Sequence, residues 1–152
     1  MLSFQNSSLY KGDEKKFVGL KNIITILTSD AEFRSDLLFT VIYTIGIVVI
    51  AYITGLVFSL LLNTDVPCRT LFRVLILIPW VISPAVSSMS WSWLLSDQYG
   101  FFNNFLKSIG VIDKSILFLA DKTLAKIMVI IIGAWRNFPF ITVSLLAGLQ
   151  GI

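Results

Sequence analysis

Between Asp36 and Asp65 runs LLFTVIYTIGIVVIAYITGLVFSLLLNT (positions 37–64), a stretch without a single charge. As a helix rising about 1.5 Å per residue it is about 42 Å long, enough to cross a hydrocarbon layer of about 30 Å with some tilt. Two more runs share this character. Val74 to Ser96 is uncharged throughout, and Ile127 to Ile152 is predominantly apolar with Arg136 as its one charge. A helix apolar all round is buried in a soluble fold only when the protein is large, and 152 residues cannot enclose three of them. Only 14% of residues are charged, against about 25% in soluble domains. The chain therefore reads as an all-α, polytopic transmembrane helix bundle with spans at 37–64, 74–96 and 127–152.

Catalysis is largely excluded. No histidine occurs and Cys68 is the only cysteine, which removes most zinc sites, Ser-His-Asp and Cys-His chemistry and internal disulfides. The patterns GxxxxGK[ST], HExxH and CxxC are missing, so nothing is expected to hydrolyse a nucleotide or hold a metal or cofactor. A membrane enzyme would also lack a carboxylate within any span. The net charge of +3 mixes acids and bases with no run of five like charges, so nucleic acid is not an expected partner.

The polar segments have their own pattern. Residues 1–36 hold ten charges and no continuous apolar core, unlike a cleavable signal peptide. Within them Phe17 to Thr28 (FVGLKNIITILT) suits a short interfacial helix, with Asp30 placed to cap the next helix. In the 97–126 loop, Gln98 to Ile109 puts Phe101, Phe102, Phe105, Leu106 and Ile109 on one helical face and Asn103, Asn104, Lys107 and Ser108 on the other. Either a helix in the headgroup plane or a packed loop helix fits that pattern. Trp91, Trp93 and Tyr99 stand where an aromatic belt is expected. Lysine and arginine counts do not orient the chain, because the two charged sides nearly tie per residue.

Arg136 is the principal functional candidate. It lies nine residues into the third run, about 14 Å along a helix. A charge at that depth costs at least about 2.5 kcal/mol, so it should face a bundle interior or a watery path. The alternative is a span starting near Trp135, with Arg136 reaching to the interface. Pro139 removes the amide that would bond the Trp135 carbonyl; Pro79 and Pro84 are expected to do the same to Leu75 and Trp80. Broken helices of this kind line transport paths or improve packing. Ser83, Ser87 and Ser90, widened by Ala85 and Ser88, form a small polar stripe suited to close helix approach or to contact with a polar solute. Gly46 and Gly55 are expected to serve helix packing, and Cys68 is a spectator or a juxtamembrane lipidation site.

Read in order, FVGLKN (Phe17 to Asn22), LFRVLILIPWVISP (Leu71 to Pro84), WSWLLSDQYGFFN (Trp91 to Asn103), AWRNFPF (Ala134 to Phe140) and LLAGLQGI (Leu145 to Ile152) resemble one family over nearly the whole chain. It is similar to the inner-membrane permease subunits of binding-protein-dependent ABC importers, in the carbohydrate-uptake branch. The resemblance implies a multi-pass protein of a bacterial or archaeal plasma membrane, with residues 1–36 and the 97–126 loop outside the cytoplasm and Asn63 to Arg73 inside. It implies a further span ahead of Leu2 to Phe4, and beyond GLQGI a docking loop for the ATPase followed by two more spans. The chain thus looks like a central fragment, inactive alone.

Partners implied are a second permease subunit, cytoplasmic ATP-binding subunits, an extracytoplasmic solute-binding protein and the lipid bilayer, with ATP hydrolysis in the separate subunit. Arg136, Trp135 and Pro139, with Trp80, Pro84 and Ser87 opposite, are the expected lining of a path for a sugar or related solute. The competing expectation is a small membrane scaffold or regulatory protein whose helices only pack against partner helices.

Overall fold

The computed structural model describes residues 5–6, 16–65 and 67–151; the Leu2 to Phe4 stretch lies outside them. The chain divides into two compact units, Met1–Ile42 and Tyr43–Ile152.

In the first unit, β1 (Gln5–Asn6) pairs antiparallel with β2 (Lys16–Phe17), Gln5 opposite Phe17. Gly19, at φ +55°, turns the chain into α1 (Lys21–Ser29). This left-handed turn is why the helix begins four residues after Phe17, where the apolar pattern starts. The Asp30 carboxylate accepts from Phe33 N at 3.0 Å and so caps α2 (Ala31–Asn63). Helix α2 therefore starts six residues before the uncharged run. Charge keeps Glu32, Arg34 and Asp36 out of hydrocarbon, but it does not prevent them from being helical.

The second unit holds the rest of α2, then α3 (Arg69–Val81), α4 (Pro84–Leu94), α5 (Phe101–Ser108) and α6 (Lys122–Gln150). Helices α2 and α6 are long and apolar enough to span a membrane. The expected middle span is instead two helices, α3 and α4, bent by 94° at a short break. Ile82 is extended, its N–H returning to Ile78 O, and the Ser83 hydroxyl accepts from Val86 N at 3.4 Å. Pro84 thus does not strip a partner from the Trp80 carbonyl inside a helix. It occupies the first turn of a new one, where a missing N–H costs nothing. Pro79 and Pro139 do sit inside helices.

Small residues make the contact between α2 and α6. A Cβ on Gly55 would fall 2.7 Å from Ile141 Cγ2 and 3.2 Å from Thr142 N, one on Gly46 would fall 2.9 Å from Ile130 Cγ2, and one on Gly133 would overlap Ile47. Ala51, Gly55 and Ser59 of α2 and Ala134 and Thr142 of α6 are buried. Meanwhile Ile45, Val48 and Ile53 are each more than half exposed. At this helix contact small and polar groups face inward, while many large aliphatic groups face outward, as suits close helix packing in lipid.

Asn103 departs from the sequence reading. Placed on the polar face of the 98–109 helix, it is instead 1% exposed, while Phe101 and Phe105 on the apolar face are half exposed. Its Nδ2 donates to Ser96 O (3.2 Å) and Ile116 O (3.0 Å), and its Oδ1 accepts from Ile116 N (2.8 Å). A carboxamide satisfies the backbone N–H and C=O of one residue at once, which makes it worth burying between two loop segments. Gly100 is buried beside it, and a Cβ there would collide with Ser96 O and Leu94 O.

Candidate functional site

The Asp121 carboxylate accepts from Thr123 N (2.9 Å) and Leu124 N (2.8 Å), fixing the start of α6. That places Arg136 at the midpoint of a 29-residue helix, with about 21 Å of helix on either side. Its Nε atom is buried without a hydrogen-bond partner. The side chain lines a cavity of about 320 Å³ between α2, α4, α6 and the loop that follows α5.

One wall of this cavity is α4, through Pro84, Ser87, Ser88, Trp91 and Ser92; another is α6, through Val129, Ile132, Gly133, Arg136 and Asn137. Tyr43 of α2, Leu95 and Leu119 complete it. The Ser88 hydroxyl donates to Ala85 O (2.9 Å), and one Asn137 amide hydrogen goes to Gly133 O (2.7 Å). The lining therefore offers one guanidinium, several hydroxyls and an amide against aromatic and aliphatic walls, with no carboxylate among them. Such a surface suits a hydroxylated or anionic solute: the polar groups give direction and the rings give area.

Of the six residues singled out from the sequence, the fold brings Arg136, Pro84 and Ser87 onto this cavity. Trp135 points elsewhere. It lines a second, apolar cavity of about 450 Å³ with Phe58, Leu61 and Leu62 of α2, Phe72, Leu75, Ile76 and Pro79 of α3, and Phe138. Its ring also meets Trp91 edge to face, with centroids 5.3 Å apart. Trp80 stacks on Phe140 at 6.1 Å and is half exposed, and Pro139 is buried in α6. Tyr43, Ser92 and Asn137 are additions that the sequence reading does not contain. Asn137 directly follows Arg136, and Ser92 lies one turn beyond Ser88, so helical spacing carries a signal for both. Nothing local marks Tyr43.

A chain whose described residues include two long apolar helices, one bent pair able to form a third span, and small polar residues inside is a multi-pass membrane protein. No protein-family profile matches it. Among curated proteins it is 38% identical over 146 residues to a "Probable ABC transporter permease protein" of Sinorhizobium fredii, covering 96% of this chain and 46% of that one. It is 35% identical over 139 residues to the trehalose/maltose transport system permease protein MalF of Thermococcus litoralis, covering 91% and 46%. To the sn-glycerol-3-phosphate transport system permease protein UgpA of Agrobacterium fabrum it is 26% identical over 141 residues, covering 93% and 47%. The similarity to ABC transporter permeases thus extends over nearly the whole chain, and the chain spans about half the length of the curated relatives it matches.

Proposed function

We propose that this chain forms part of a permease subunit of an ABC importer, carrying a sugar or related polyhydroxylated solute across a bacterial or archaeal plasma membrane. The observation that carries the reading is the buried, unpartnered Arg136 Nε on a cavity walled by serines and rings. A guanidinium held at the middle of an apolar helix is costly, and a solute path is the use that offsets the cost. Two relatives have names that include trehalose/maltose and sn-glycerol-3-phosphate, solutes rich in the oxygen acceptors that Arg136 and Ser87 would meet.

In this reading an extracytoplasmic binding protein delivers the solute, and a second permease subunit completes the path. Cytoplasmic ATP-binding subunits supply the energy, so this chain is no enzyme. Arg136 donates hydrogen bonds to solute oxygens, Ser87 adds a hydroxyl opposite, and Pro84 holds the start of α4 open beside them. Trp135, Trp80 and Pro139 shape the helices rather than touch the solute.

The test is uptake by the whole importer in proteoliposomes. Arg136→Leu is expected to cut uptake at least about tenfold, the loss of one charged hydrogen bond or more, with Arg136→Lys intermediate. Unchanged uptake in Arg136→Leu favours the scaffold reading instead.

A further inference from the structure

A second cationic site lies at the C-terminal end of α6. With its amide oriented by its partners, as such amides must be, the Gln150 oxygen accepts from Arg69 Nη2 at 2.6 Å and from Arg73 Nη2 at 2.8 Å. Gln150 is neutral, so this bridge draws two positive charges together without supplying a negative one. Each guanidinium has five donors, and the Nε of each is buried without a hydrogen-bond partner. Arg69 also opens α3, whose first turn has no side-chain cap, and that helix end adds its own positive potential. Gln150 is the last residue of α6, whose carbonyl end offers partial but no full negative charge; the free donors can serve an anion with several oxygens, and paired arginines match phosphate geometry.

The apolar cavity of about 450 Å³ begins one helical step away. Phe72 and Ile76, which line it, are three and seven residues from Arg69, on one surface of α3. From Arg69 to Pro79 at the cavity's far end is about 15 Å of helix, the hydrocarbon depth of one leaflet. We propose that Arg69, Arg73 and Gln150 bind the headgroup phosphate of an anionic phospholipid whose acyl chain fills the groove between α2, α3 and α6. Charge and shape select the same occupant: cations at the start of α3 and an apolar trough, lined by Phe58, Leu75 and Phe138, that begins one helical turn further along. Basic pockets between membrane helices hold anionic headgroups in this way.

The chain, purified in neutral detergent, is equilibrated with mixed micelles holding equal phosphatidylglycerol and phosphatidylcholine of matched acyl chains, and retained lipid is weighed by native mass spectrometry. Phosphatidylglycerol is expected to be retained roughly thirtyfold over phosphatidylcholine, the order set by two arginines at an anionic headgroup. R69Q/R73Q brings the ratio near one, R69K/R73K keeps a reduced preference, and Leu75→Trp, which fills the trough, lowers retention. Millimolar inorganic phosphate leaves the lipid bound. A wild-type ratio near one overturns the proposal, as does a ratio that R69Q/R73Q leaves unchanged; displacement by phosphate would reassign the site to free anions. Should R69Q/R73Q lose its helical circular dichroism, Leu75→Trp decides, and undiminished retention then overturns the lipid assignment.

Discussion

The indole of Trp91 meets that of Trp135 edge to face, with ring centroids 5.3 Å apart and planes at 80°. This contact ties α4 to α6 between the two cavities, because Trp91 lines the polar one and Trp135 the apolar one. Phe102 stacks on the same Trp91 ring at 6.1 Å, so α5 joins the cluster. An edge-to-face pair contributes about 0.5–1.5 kcal/mol beyond the area it buries. A double-mutant cycle with Trp91→Leu and Trp135→Leu, read by thermal unfolding in detergent, is expected to return a coupling energy of that size. Strict additivity would mean that the rings touch without holding the helices.

The glycines of the helix contact should differ sharply in tolerance. Gly55→Ala puts a methyl group against Ile141 and the Thr142 backbone, which cannot rotate away. Overpacking of this kind costs about 1–3 kcal/mol. Gly148 has open space around it, so Gly148→Ala should be neutral or stabilising by up to about 1 kcal/mol through helix propensity. Unfolding midpoints of the two variants under one condition check the contrast.

Asn103→Leu leaves Ser96 O and the Ile116 backbone N–H and C=O without their partner. Each buried group left unsatisfied costs about 1–3 kcal/mol. The variant should lose stability on that scale and become sensitive to protease between Gly110 and Ala120. Asn103→Asp keeps the acceptor for Ile116 N but loses both donated bonds, and should be damaged to a similar degree.

Cys68 holds a left-handed backbone at φ +59° and is exposed. Cys68→Gly is therefore expected to be neutral or stabilising by about 0.5 kcal/mol, and Cys68→Val to cost about 1–2 kcal/mol. The same thiol tests the orientation that the resemblance implies: if Asn63 to Arg73 are cytoplasmic, a membrane-impermeant maleimide labels it in inside-out vesicles and not in intact cells, and the reverse pattern overturns that orientation.

The sequence shows most of what lies along one helix and little of what lies between helices. Apolar runs mark α2 and α6 because hydrocarbon disfavours charge, but their true starts depend on Asp30 and Asp121, whose capping bonds extend a helix into polar sequence. Arg136 stands out as the one charge in an apolar run, and Ser87 through its spacing. Asn103 misleads because periodicity separates faces without saying which face a neighbouring loop will cover. The bridge from Gln150 to Arg69 and Arg73 joins residues far apart in the sequence, where local pattern carries no signal at all.

The break at Ile82 and Ser83 also bears on how such a protein is made. Helix α3 has 13 residues and α4 has 11, about 20 Å and 16 Å, so neither alone bridges a layer of about 30 Å. The peptide groups freed where they meet need shelter from lipid tails. Both neighbours that shelter the break flank it in the sequence, α2 before and α6 after, so the stretch is expected to settle in the bilayer only once α6 has been made.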